Sequence, residues 1–250
     1  MAAPPFAESV TLSPRNAEIA AQLKREFPAI IVAGSSQEVL DRSDIVLITV
    51  RPQGGEEIIS GMSFRPDHTI VSAVAALSRK RLLELVAPAR TVVKAVPLPA
   101  VAQRRGVTAV YPSVAAVTEL FDRLGSALPV ADEAQFSAMS TASSAVATYA
   151  MLAQTTTSWL SAHGLHSLAA RDYVNALLAG IVDAAGHSTE SFAEIADHHA
   201  TRGGLNEQLR LFLERKGLFT SVSDGLDRVM ERVAGESQYA SVAESDSAAN

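Results

Sequence analysis

The chain has 250 residues and a mass of 26.3 kDa; it is 48% hydrophobic and 19% charged, with no cysteine. That is the composition of a folded globular protein, and it excludes collagen-like, disordered and disulfide-stapled classes. Basic residues number 21 and acidic residues 27, a formal net charge of -6. This is the wrong sign for neutralising a phosphate backbone over a broad face, so no nucleic-acid partner is expected. Without cysteine there is no thiolate nucleophile and no thiolate metal site.

The first six residues, Met-Ala-Ala-Pro-Pro-Phe, form neither a basic leader nor an apolar run, and every apolar stretch is broken short of a bilayer span. A cytoplasmic protein without membrane contact is expected. From Ser9 to about Val130, short β-branched runs (10–12, 30–33, 45–50, 69–72, 91–96 and 108–111) alternate with helical stretches, a βαβ rhythm. The near-continuous apolar run 45–50 predicts a parallel strand covered on both faces. Asn16 predicts a helix start with Ile19, Leu23 and Phe27 on one stripe, and Ser36 a second with Val39 and Leu40. Residues 1–131 are therefore expected to form a doubly wound, Rossmann-like α/β domain.

After Val130 the β-branched runs stop, and Ala, Leu, Ser and Thr recur at helical spacing. Helices are expected over 134–140, 145–163, 167–188, 190–199, 205–216 and 223–234, making 132–236 an all-α domain. The segments 145–159 and 169–185 are apolar with few charges, so burial against a second copy, a homodimer, is expected. Residues 237–250 are small and polar and read as a disordered tail.

A doubly wound sheet binds ligands beyond the carboxyl ends of its strands. There, Ser13, Pro14, Arg15 and Asn16 place a hydroxyl, a guanidinium and a helix cap at a strand tip, suited to a phosphate monoester; a solvated loop arginine is the other reading. Val50, Arg51, Pro52 and Gln53 followed by two glycines force a turn, though such a turn has many uses. The small residues from Ser72 and Ala73 onward let a flat ring approach the backbone, and Pro97 begins a fourth loop. In the helical half, Ser143 stands at an expected helix start. Thr201 and Arg202 lead into Gly203, Gly204 and another helix, where amides could favour a carboxylate or the glycines could simply cap a helix. The six histidines show no ligand spacing, so no metal site is expected. There is no G-x-S-x-G elbow. The runs at 79–81 and 214–216 read as solvated helix faces.

In this order and spacing the loops resemble pyrroline-5-carboxylate reductases from about Ser9 to Ala234. Val-Thr-Leu-Ser-Pro-Arg-Asn at 10–16 is similar to the family's second strand and the turn that grips the NADP 2'-phosphate, implying cofactor contacts by Ser13, Arg15 and Asn16. Val-Arg-Pro-Gln at 50–53 resembles its Val-Lys-Pro-Gln, and Ser-Ala-Val-Ala-Ala at 72–76 its Ser-Ile-Ala-Ala-Gly. Lys-Ala-Val-Pro at 94–97, followed by Gly-Val-Thr-Ala at 106–109, resembles its Arg-Ala-Met-Pro and Gly-Val-Thr-Ala segments. The resemblance implies hydride transfer from NADPH to a cyclic imine, pyrroline-5-carboxylate or a related imino acid, in an intertwined helical dimer. Val50, Arg51, Pro52, Gln53, Ser72, Ala73 and Pro97 would line the cofactor, and Ser143, Thr201, Gly203 and Gly204 the substrate.

Departures cluster at both ends of the pattern. The family opens with a strand and a G-x-G-x-x-G turn for the pyrophosphate, whereas the first glycine here is Gly34. An N-terminally incomplete sheet is therefore expected, and a non-catalytic dimeric relative without the pyrophosphate loop is the alternative function. The family's asparagine in Pro-Asn-Thr-Pro falls on Leu98. The second Ser of its Ser-Gly-Ser-Gly-Pro-Ala-Tyr helix start falls on Ala145. The Pro of its Pro-Gly-Gly-Thr-Thr turn falls on Arg202, and the final Thr, which donates to the imine nitrogen, falls on Asn206. The resemblance makes Asn206 the candidate catalytic residue, although an amide donates a hydrogen bond more readily than a proton.

Overall fold

The computed structural model describes residues 9–51 and 53–233. They fall into two compact units, one running to Thr141 and regained at Met230, the other Ala142–Val229. The proposed tail at 237–250 lies outside the described residues.

In the first unit, β1 (Thr11–Leu12), α1 (Ala17–Glu26), β2 (Ile31–Val32), α2 (Ser36–Asp41), β3 (Ile45–Ile48), α3 (Gly55–Ser60), β4 (Thr69–Ser72), α4 (Arg79–Leu85) and β5 (Thr91–Ala95) follow the expected alternation. After a short 3-10 turn (Pro99–Gln103) come β6 (Val107–Tyr111), α5 (Ala115–Asp122) and β7 (Ser126–Pro129). The local reasons are legible. Asn16 accepts the Ile19 amide at 3.1 Å to cap α1, and Ser35 and Ser78 cap α2 and α4 in the same way, each satisfying an amide that the helix leaves unpaired. Gly125 has φ near +145°, and a side chain there would strike the Gly106 carbonyl, so only glycine lets β7 start beside the loop that precedes β6.

The sheet differs from the expectation in three ways. β1 and β2 form a two-stranded parallel sheet by themselves, and β3-β4-β5-β6-β7 form a second. Among the described residues, the outer edges of β1 and β3 are therefore unpaired. The pairing of β5 with β6 is antiparallel, while the other neighbours run parallel. β7 carries no β-branched residue and ends in Pro129, an edge-strand signature that β-propensity alone does not pick out. Third, the run at 45–50 is not covered on both faces: Val46 and Ile48 are buried, but Leu47 is 52% exposed. One face of the larger sheet packs through Val46, Ile70 and Val92 against Leu40, Ile59 and Leu82 of α2, α3 and α4. The other packs through Val71, Val93 and Val110 against Val117 and Phe121 of α5, and that cover does not extend to Leu47. The stripe on α1 is likewise open, with Ile19 and Phe27 more than half exposed.

The helices of the C-terminal half are α6 (Glu133–Ser143), α7 (Ala145–Ala162), α8 (Ser167–Gly186), α9 (Phe192–His199), α10 (Leu205–Arg215) and α11 (Leu218–Val233). α11 begins five residues before its expected start, because Gly217 at φ 74° ends α10 and lets the next helix follow at once. α7 and α8 pack together, yet they leave Tyr149, Met151 and Trp159, and Tyr173, Leu177 and Val182, about half exposed or more. No helix among the described residues is long and apolar enough to cross a membrane.

Candidate functional site

The first group of candidate residues sits where β1 and β2 end. The Ser13 hydroxyl oxygen lies 3.3 Å from that of Ser36 and accepts the Arg15 amide at 3.4 Å. Just before α2, the Gly34 amide donates to Glu38 at 2.7 Å and Arg42 donates to the other carboxylate oxygen at 2.8 Å. The backbone bond first, and the guanidinium second, hold the Glu38 carboxyl below its usual range. Two hydroxyls thus meet at the tips of neighbouring parallel strands, with Arg15 exposed two residues on and in no ion pair among the described residues. Ser36 was legible as a helix start and not as a partner of Ser13, because their meeting depends on the register of β1 against β2. Asn16 is spent as the cap of α1.

Beyond β3, Val50 is half-buried, and a Cβ on Gly55 would come within 3.0 Å of its Cγ2, so α3 begins flush against that side chain. Gly54 takes a left-handed φ of 72° to make the turn. Arg51 and Gln53 are exposed; Pro52 lies outside the described residues. Beyond β4, Ser72 is fully buried and its hydroxyl accepts the Val74 amide at 3.2 Å, while the Ala73 amide donates to the Ile48 carbonyl at 2.9 Å. Pro97, half-buried, follows β5.

A residue that site reasoning passed over binds these loops together. Lys94 on β5 is 1% exposed; its ammonium donates to the Ala75 carbonyl at 3.4 Å and to Glu133 Oε1 at 3.2 Å, and lies 5.0 Å from the centre of the Phe136 ring. Glu133 Oε1 also accepts the Arg79 amide at 2.8 Å. Burial pushes the Lys94 ammonium below its ordinary value, and Glu133 opposes that shift. A lysine inside an otherwise apolar strand was the available signal, since lysine is almost never fully buried unless paired.

In the second unit, Ser143 is the last residue of α6, and α7 starts only at Ala145. Ser143 therefore closes a helix, where the spacing had suggested that it opened one; the α6 pattern simply continues through it. The turn before α10 is built from its own groups. Gly203 is left-handed at φ 73°, and its amide donates to Glu207 Oε2 at 2.7 Å. The Gly204 amide donates to the Thr201 carbonyl at 2.7 Å, and a Cβ on Gly204 would approach that carbonyl to 2.8 Å. Asn206 Nδ2 donates to the His199 carbonyl at 2.9 Å. Thr201 itself is exposed.

Residues 133–235 match the family model for pyrroline-5-carboxylate reductase dimerisation, and residues 3–76 match that for NADP oxidoreductase, coenzyme F420-dependent. No curated protein matches the chain in sequence. Among solved structures, a 1-pyrroline-5-carboxylate reductase from Streptococcus pyogenes is similar with a TM-score of 0.79 at 23% identity, covering 90% of this chain and 88% of that one. A Plasmodium falciparum pyrroline carboxylate reductase with NADP bound is similar at 0.74 and 17% identity, over 84% and 83% of the two chains. A Coxiella burnetii pyrroline-5-carboxylate reductase is similar at 0.71 and 17% identity, over 92% and 88%.

Proposed function

We propose that this chain, whose residues 133–235 match the pyrroline-5-carboxylate reductase dimerisation model and whose fold is similar to that of such reductases, is an NADPH-dependent reductase of a cyclic imine: 1-pyrroline-5-carboxylate or a related imine. The observation that carries this reading is the cluster of Ser13, Ser36 and Arg15 at the ends of two parallel strands. Its hydroxyls and an uncommitted guanidinium suit a phosphate monoester, which an arginine meets with paired N–H donors. That chemistry fits the 2'-phosphate of NADP, a cofactor supported by the oxidoreductase family match over the same segment.

When bound, NADPH supplies the hydride. The rest falls to the chain's own groups. Val50, Arg51, Pro52, Gln53, Ser72, Ala73 and Pro97 are proposed to line the cofactor, with the Ser72–Val74 and Ala73–Ile48 bonds and the Lys94 contact to Ala75 fixing the loop backbone. Such fixed positioning of the reacting partners is the main catalytic resource of a hydride-transfer site. In the helical unit, Ser143, Thr201, Gly203 and Gly204 are proposed to hold the substrate. Asn206 spends one N–H on His199 and keeps a second to donate to the imine nitrogen. An amide does not transfer its proton at this acidity, so water delivers the proton that completes the amine.

The separation of β1-β2 from the larger sheet favours the second reading, a dimeric relative without catalysis. Calorimetric titration of the full chain with NADPH, followed by an NADPH-oxidation assay with cyclic imines, separates the two. Micromolar binding and turnover are expected; absence of both would leave the non-catalytic relative.

A further inference from the structure

Resting on the reductase reading, we infer that Glu207 turns the imine site away from carboxylate-bearing substrates and toward a cyclic imine that lacks an acidic group. The turn 201–206 owes its suitability for an anion to glycine amides, and both are already donated within the turn. The Gly203 amide goes to Glu207 Oε2 and the Gly204 amide to the Thr201 carbonyl, each at 2.7 Å. The side-chain amide of Asn206 is turned back on His199. The acceptor at Gly203 is itself a carboxylate, borne one turn into α10, so the position that an incoming carboxylate would take is filled by one the chain supplies. Any anion reaching the start of this helix would also sit beside an existing negative charge, and like charges at short range oppose binding strongly.

The backbone does not offer an easy way around this. Gly203 holds a left-handed φ, and Gly204 is pressed against the Thr201 carbonyl, so the turn is held by its conformation as well as by Glu207. Arg202, exposed beside Gly203, makes no ion pair with Glu207 among the described residues and is the competing receptor for a substrate carboxylate. An imine without a carboxylate needs neither group.

The test compares 1-pyrroline with 1-pyrroline-5-carboxylate as substrates for the full chain with NADPH, in the wild type and in the Glu207→Gln and Glu207→Ala variants. The wild type is expected to favour 1-pyrroline in kcat/KM by about tenfold or more, and both variants to shift that ratio toward the carboxylated imine by a similar factor. A wild type that favours the carboxylated imine, or a ratio unmoved by both variants, overturns the inference. Calorimetry with L-proline, a carboxylate probe that needs no turnover, keeps the result independent of catalysis. Tighter proline binding by both variants supports the role of Glu207; equal or absent binding in all three proteins overturns it. So does binding that disappears in Arg202→Ala while remaining unchanged in Glu207→Gln. If neither imine is reduced but proline binding still follows Glu207, the reductase reading fails and the assignment of Glu207 stands.

Discussion

Arg15 and Lys94 show how differently two cations can be used in one unit. Arg15 is exposed and held only through its backbone, which donates to Ser13, so its guanidinium is available to a phosphate. Arg15→Ala is expected to weaken NADPH by about tenfold or more while changing NADH little, as read by calorimetry with both cofactors; equal losses would exclude a role in reading the 2'-phosphate. Lys94 is the opposite case, buried against Glu133 and Phe136. Glu133→Ala removes its counter-charge and is expected to cost about 3 kcal/mol in urea unfolding, because a buried ammonium left without an opposite charge is expensive. The pH dependence follows from the direction of the shift. The folded value of Lys94 lies below the ordinary 10.5, so between the two values the unfolded chain binds the additional proton and stability rises with pH. The cost of burying the charge is fully present below the folded value and gone above 10.5. Lys94→Met should flatten that rise, as measured by urea titrations across the alkaline range.

At the scale of elements, the sequence was most legible where a cap and a period coincide. Asn16 caps α1 as expected, and β4 spans Thr69–Ser72 as its β-branched run indicates. α7, α9 and α10 lie within two residues of their expected bounds. Legibility failed where an element is defined by a neighbour. β7 is a strand because it pairs with β6 in parallel register, Val107 opposite Ser126, and nothing in Ser-Ala-Leu-Pro announces it. That pairing rests on Gly125, whose missing side chain makes room for the Gly106 carbonyl. Gly125→Ala is expected to destabilise the first unit by about 2 kcal/mol or more, seen as a lower thermal midpoint with secondary structure retained below it. An unchanged midpoint would mean that the β6–β7 connection relaxes around a methyl group.

For the whole molecule, apolar stripes on the helical unit stand open to water. On α8, Tyr173, Leu177 and Ile181 recur every four residues, and each is about half exposed, a stripe that water disfavours. The matched dimerisation family supports a second copy as its cover. Light scattering at micromolar concentration should give about twice 26.3 kDa. Ile181→Glu, which places a charge in the middle of the stripe, should shift the protein toward monomer. A wild-type monomer at that concentration would remove the homodimer from the reading.

Several features were determined within short stretches of chain: most of the order of strands and helices, the change near Val130 from alternating strands and helices to helices alone, and the residue types carried by each strand-end loop. Periodicity, capping and turn residues act over a few residues, so they can be read one segment at a time. Tertiary structure decided how those segments meet. It separated β1 and β2 from the larger sheet and left Leu47 and the α1 stripe uncovered. It brought Ser36 to Ser13, and it buried Lys94 against a glutamate 39 residues away in sequence. Each of these outcomes depends on which donor reaches which acceptor, and on which surface another covers. Only packing fixes those relations, because a single segment holds one partner of each pair and the folded chain supplies the other.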